Sequence, residues 1–412
     1  MAKIVVVGGG VVGISCALSL QADGHDVVVL DPGEPGEGAS RASCGSIAVS
    51  EVVPLSKPGT LRLAPKWLLD PKGPLALRPA SLFAVLPWFL RFAGNARGDR
   101  IRSISRDIAL LTAHAVSDTE DFLDRYGLRP LLRDAPVIQL FDSKEELEKE
   151  RGYLDMRRDL GFQVDVISGG EATALEPALA KDFAAAAVLR DWRSVVDPKR
   201  YVVELHEAFA ARGGEVRRVK GTGFTREERQ AQAVRTESGE AVTGDAFVIA
   251  AGAASKDLVS DLGFTIQLAG VIGYQTLLKA PGIEQTHALI YGKGGFGITP
   301  YESGLAVAGS VEFTGPSAAP DWRRADILVE RARRVLPGLT VRSAERYFGR
   351  RPLTPDTKPI IGRAPTADNV IVATGHGQLG LTLAATTGRL VRDLVANRRS
   401  NVDLSAYRAD RF

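Results

Sequence analysis

A chain that opens KIVVVGGGVVGISCALSLQADGHDVVVLD from Lys3 has few folds open to it. Ile4–Val7 is an unbroken β-branched run, suited to a strand buried on both faces of a parallel sheet. It leads into Gly8-Gly9-Gly10-Val11-Val12-Gly13, a G-x-G-x-x-G turn. Ile14 to Ala22 then reads as a helix closed at Gly24, and Val27–Leu30 as a second buried strand ending in Asp31. Gly8 permits the tight turn, Gly10 lets the backbone approach a pyrophosphate, and Gly13 lets helix and strand pack closely. With Val11 and Val12, this turn presents free N–H groups at a helix N-terminus, where the dipole favours an anion. Asp31 is placed to accept ribose hydroxyls, and its charge argues against NADP. The stretch predicts a dinucleotide site.

At 412 residues the chain has room for two or three domains. Its net charge of +3 makes no case for nucleic acid. The two cysteines, Cys16 and Cys44, have no metal spacing, so neither a disulfide framework nor a metal site is expected. The fold begins at Lys3 with no leader before it, which reads as cytoplasmic. No segment has the ~20 apolar residues of a membrane span. Pro79–Leu90 is uncharged, but it is short and holds two prolines. It reads as a buried helix or a cover over the site, with peripheral contact at the inner membrane as the alternative.

After Asp31 comes a loop dense in Gly, Ser and Pro. Ser40, Arg41 and Ser43 are placed there to donate to phosphate or flavin oxygens, and Gly45 allows close approach to a ring. From Val52 to Phe92 the chain leaves the βαβ rhythm, which resumes at Asp197-Pro198 with a helix over Lys199–Arg212. Ala246–Gly252 reads as a buried strand ending in Ala251-Gly252-Ala253, a backbone suited to close approach. Leu262–Lys279 and Ala288–Val311 read as antiparallel strands of a second sheet that carries the substrate. Near the end, the strand Val370–Ala373 runs into Thr374-Gly-His-Gly-Gln-Leu-Gly-Leu-Thr382, and a helix is expected from about Leu379 to Ala396. This second glycine turn, with Gly375, Gly377, Gly380, Leu381 and Thr382, points to FAD, which is long enough to need one contact for its diphosphate and another for its flavin.

These residues resemble the FAD-dependent D-amino-acid oxidase superfamily, with bacterial D-amino-acid dehydrogenases and glyphosate oxidoreductases as the most similar groups. The resemblance also rests on Gly38-Ala-Ser-Arg-Ala-Ser-Cys-Gly45, Gly273-Tyr274, Arg351-Pro352-Leu-Thr-Pro-Asp356 and Pro359-Ile-Ile-Gly362. It implies an α/β (α+β overall) architecture. A Rossmann-type FAD domain (residues 1–50, 195–265 and 345–412) accompanies a mostly antiparallel substrate domain (51–194 and 266–344).

The implied reaction is hydride transfer from the α-carbon of a D-amino acid to flavin, giving an imine and then a 2-oxo acid. A cyclic amine such as D-proline would give a ring imine. Oxidation of N-substituted glycines, or a role as the flavin subunit of a hetero-oligomeric amine dehydrogenase, are the alternatives. Arg351 matches the family arginine that forks the substrate carboxylate, and Tyr274 a tyrosine that helps hold it. His376 sits in the turn whose N–H groups face the flavin N1–C2=O edge. Gly221 stands where relatives place a β-branched residue with its backbone toward adenine. Quinone, dye or oxygen is the expected electron acceptor, and a homo- or hetero-oligomer is left open.

Overall fold

The strand Lys3–Val7 is shielded on both faces, and its side chains divide between two cores by simple alternation. Ile4 and Val6 enter one, Val5 and Val7 the other. In the computed structural model, which describes residues 1–315 and 317–412, this strand lies inside a six-stranded sheet. The order is Glu215–Arg217, Asp26–Leu30, Lys3–Val7, Ala246–Ile249, Ala367–Thr374 and Ile360–Ala364. Only the last pairs antiparallel. The helices Val11–Ala22, Pro198–Ala210 and Ala384–Val395 bury their apolar faces with Ile4 and Val6. The antiparallel meander Gly221–Glu227, Gln230–Thr236 and Ala241–Thr243 packs with Val5 and Val7. Dinucleotide sheets expose their ligand crevice beyond the carboxyl ends of such strands, so Gly8, Asp31, Ala250 and Thr374 converge there.

A second sheet of nine mostly antiparallel strands carries Ala269–Lys279 between Ser343–Leu353 and Gly304–Phe313. Because Ser343–Leu353 pairs here along its whole length, the chain returns to the parallel sheet only at Ile360, later than the boundary expected at 345. The strand expected from Leu262 starts instead at Ala269, after the short helix Ser255–Asp261.

Pro79–Leu90 is no buried helix. The helix Leu82–Gly94 buries only Trp88 and Phe92, while Phe83 and Leu90 are 85 % and 67 % exposed. The preceding helix, Pro58–Leu69, buries no residue fully. Both lean on one small cluster through Leu61, Val85, Trp88, Phe89 and Phe92, and so cover the edge of the second sheet. Among the described residues, no helix is long and apolar enough to cross a membrane.

Candidate active site

A connected cavity of about 1240 Å³ is walled by both sheets and by these two covering helices. Gly8, Gly10, Asp31 and Gly221 wall it from the parallel side, Phe296, Val311 and Arg351 from the second sheet, and Trp67 and Trp88 from the helices.

The glycine turn is built by close approach. A Cβ on Gly8 (φ +107°) would stand 2.5 Å from the Ala250 carbonyl oxygen, and one on Gly13 would stand 1.8 Å from that of Gly8. Gly13 therefore seats helix on strand and does not reach the cavity, whereas Gly10, Val11 and Val12 line it. The Val11 N–H donates to Ser40 Oγ at 3.2 Å; those of Gly10 and Val12 have no partner among the described residues. Asp31, at the wall, accepts the Gly9 N–H on Oδ2 (2.6 Å) and the Gly33 N–H on Oδ1 (2.8 Å).

Ser40 and Ser43 line the cavity, and so do Gly221, Ala251 and Gly252. Arg41 does not: its guanidinium pairs with Glu37 and stacks 3.7 Å from the Tyr347 ring centroid. An acid four residues earlier and an aromatic face outcompete the cavity for it. Gly45 is also elsewhere. The ring it approaches is that of Tyr301, whose hydroxyl would be 2.9 Å from a Cβ.

The C-terminal turn differs from expectation in its register. Its helix begins at Ala384 rather than Leu379, because Leu379–Leu383 forms a separate turn closed by Leu383 N–H to Leu379 C=O at 2.9 Å. Gly377, Gly380 and Leu381 line the cavity. Gly375 packs instead against Thr354, and the Thr382 side chain accepts the Ala48 N–H at 2.9 Å. The N–H groups of Gly380, Leu381 and Thr382 have no partner among the described residues. His376 is at the wall, but its ring is buried with Nε2 2.9 Å from Thr387 Oγ1. Burial lowers its pKa to about 3, so the ring is neutral.

Arg351 lines the cavity on the second sheet, and its guanidinium has no hydrogen-bond partner among the described residues. Burial pulls its pKa below the usual arginine value, opposed by the neighbouring Cys44; at ordinary pH it stays charged. Burial raises the Cys44 thiol. Arg350 is spoken for: it donates to Thr314 Oγ1 (3.2 Å) and to the carbonyls of Gly315 (3.3 Å) and Ala318 (2.5 Å).

Tyr274 is on the wrong face. Strand alternation puts Ile272, Tyr274 and Thr276 toward the helix Arg323–Val335 and leaves Gly273 and Gln275 on the other side. The Tyr274 hydroxyl donates to Glu312 and accepts the Asp321 N–H at 2.7 Å. No tyrosine lines the cavity among the described residues.

Two residues are given no role by the sequence reading. Gly273 makes room for Arg351, and its signal was a glycine inside a strand pattern. His206 bonds the Gly8–Gly13 turn, and its signal was a polar residue among the apolar positions Tyr201, Val202, Leu205 and Phe209 of Pro198–Ala210.

Free backbone donors at two glycine turns, an acid at the second strand end and one long cavity fit a flavin dinucleotide, which Gly10, Val12 and Asp31 would hold at one end and Gly380 and Leu381 at the other. The chain belongs to the FAD dependent oxidoreductase (DAO) family, which it matches over residues 3–394. It is 30 % identical to a D-amino-acid oxidase of Bradyrhizobium diazoefficiens across 99 % of this chain and 98 % of that protein. It is 31 % identical to D-amino acid dehydrogenase 2 of Ralstonia nicotianae, across 98 % and 99 % respectively. The same fold is seen in glycine oxidase from Geobacillus kaustophilus, with TM-score 0.75 and 23 % identity over 100 % of both chains. L-proline dehydrogenase from P. horikoshii also shares it, with TM-score 0.77 and 18 % identity over 100 % of this chain and 97 % of that one.

Proposed function

We propose that this chain oxidises a D-amino acid. The α-carbon gives up a hydride and the nitrogen a proton; the resulting imine is hydrolysed by water to a 2-oxo acid and ammonia, and a cyclic secondary amine stops at the ring imine. FAD, when bound, would supply the two-electron acceptor, with a quinone, a dye or oxygen as the final acceptor. Arg351 is the observation that carries this reading. A charged guanidinium at the wall of an apolar cavity, with no protein acceptor, is a fork for a carboxylate. With its carboxylate there, the rest of the substrate faces Leu353, Trp88 and Phe313, which line the cavity and pack in one cluster. The test is a dye-linked assay across D-amino acids, D-proline, their L-enantiomers and N-alkylglycines, with the 2-oxo acid measured as product. Turnover confined to N-alkylglycines would move the assignment to the amine oxidase reading.

We also infer that the covering helices contact a membrane surface. Leu63, Leu68 and Leu69 on Pro58–Leu69, and Phe83, Leu86 and Leu90 on Leu82–Gly94, are exposed. The same stretches carry Arg62, Lys66, Arg91, Arg97 and Arg100, exposed and without an acidic partner among the described residues, against the exposed acids Asp70 and Asp99. Exposed apolar side chains with an excess of cations nearby in the chain suit an anionic lipid interface.

A further inference from the structure

His206 lies on the helix Pro198–Ala210, which Asp197 caps by accepting the Lys199 N–H at 2.8 Å and the Arg200 N–H at 3.2 Å. The apolar positions Tyr201, Val202, Leu205 and Phe209 anchor this helix in the core it shares with Val11–Ala22. That packing delivers the imidazole to the underside of the phosphate turn, with Nε2 2.7 Å from the Gly9 carbonyl oxygen. A carbonyl only accepts, so Nε2 carries the hydrogen; Nδ1 is buried with no partner. The charged groups facing the ring are Asp31 and Arg218, and burial is the largest influence on it, favouring the neutral form.

The consequence follows from peptide geometry. In a planar trans peptide the C=O and the next N–H point in opposite directions. Holding the Gly9 carbonyl toward His206 therefore turns the Gly10 N–H away from the helix, and Gly10 lies on the cavity wall with that N–H unpaired. Asp31 holds the other end of Gly9 through its N–H at 2.6 Å. Two consecutive glycines have no Cβ to resist rotation of the peptide between them.

We propose that His206 is a positioning residue for the cofactor diphosphate: by clamping the Gly9 carbonyl it fixes the Gly9–Gly10 peptide with its N–H toward the cavity. The inference rests on the FAD assignment and adds to it a residue that does not line the cavity.

The test compares His206→Gln, whose amide can still donate, with His206→Met, which keeps the bulk and loses the donor. FAD affinity is read from fluorescence quenching on reconstitution of the apoprotein, and ADP affinity from calorimetry on the same apoprotein. His206→Met should weaken FAD and ADP by similar factors, about 10-fold or more, while His206→Gln stays within about 3-fold of wild type. The apoprotein melting temperatures of the two variants should agree. Unchanged affinity in His206→Met, or an equal loss in both variants, overturns the clamp. If His206→Met does not fold, His206→Gln decides: retained ADP affinity supports the clamp and lost affinity overturns it. Failure of wild-type apoprotein to take up FAD at all would instead overturn the cofactor assignment.

Discussion

The guanidinium of Arg351 lies across the backbone of Gly273. A Cβ built on Gly273 would stand 2.3 Å from Arg351 Cζ and 2.4 Å from Nη2. The two residues sit on neighbouring antiparallel strands, Arg351 opposite Val271 and Gly273 opposite Gly349, so the missing side chain is what lets the arginine lie flat. Gly273→Ala should push the fork out of place. The expected result is a rise of about 10-fold or more in KM for the carboxylate substrate, about 1.4 kcal/mol, with flavin content unchanged. An unaltered KM would show that Arg351 has room to adjust.

Arg351→Lys keeps the charge and loses the planar fork. It should raise KM by about 10-fold or more. Arg350→Lys should change KM far less, because Arg350 is occupied with Thr314, Gly315 and Ala318. Steady-state kinetics with flavin content measured in both variants separates lost substrate binding from lost cofactor.

His376 sets a pH dependence of stability. Its folded pKa is about 3 against an ordinary value of 6.5, because burial disfavours the imidazolium. Between those values the unfolded chain holds the proton and the folded chain does not, so stability falls as pH drops below about 6.5, by up to about 1.4 kcal/mol per pH unit. Above that range the contribution is fully present and flat. His206, also held neutral by burial, acts in the same direction. Melting temperatures from pH 7 to pH 4 should fall for wild type and fall less steeply for His376→Asn. Parallel curves would contradict a neutral buried His376.

The covering helices are tested with vesicles. Leu69→Ser combined with Phe83→Ser alters two side chains that are each 85 % exposed, so folding should be unaffected. Wild type should co-sediment with anionic vesicles more than with neutral ones, and high salt should weaken this; the double variant should stay in solution. Equal recovery of both proteins with the vesicles, or self-association of wild type without lipid, would refute the membrane contact.

The parallel sheet was legible because its signals are local: a β-branched run, a spaced glycine turn and a terminal acid follow one another within thirty-one residues. Arg351 was legible only through the family motif Arg351-Pro352-Leu-Thr-Pro-Asp356 that it opens. What the sequence could not show was which face a side chain takes. Tyr274 and Arg351 both sit on strands of one sheet, yet Tyr274 points to the helix Arg323–Val335 and Arg351 to the cavity. That choice depends on what covers each face, and the covering helix lies about fifty residues further along. Arg41 and Gly45 were misplaced for a similar reason, since Glu37 and Tyr347 hold the one and Tyr301 crowds the other. The last helix starts late because Leu379–Leu383 forms a turn of its own, from which the Thr382 hydroxyl reaches Ala48 on a distant segment.

The most direct test of the central claim is anaerobic mixing of the purified yellow protein with single D-amino acids, their L-enantiomers and N-alkylglycines, following loss of the flavin absorbance. The account predicts rapid bleaching by one or more D-amino acids and slow or no bleaching by the L-enantiomers, with the rate at low substrate falling about 10-fold or more in Arg351→Lys. Bleaching by L-enantiomers or N-alkylglycines alone, or bleaching unchanged in Arg351→Lys, would contradict it.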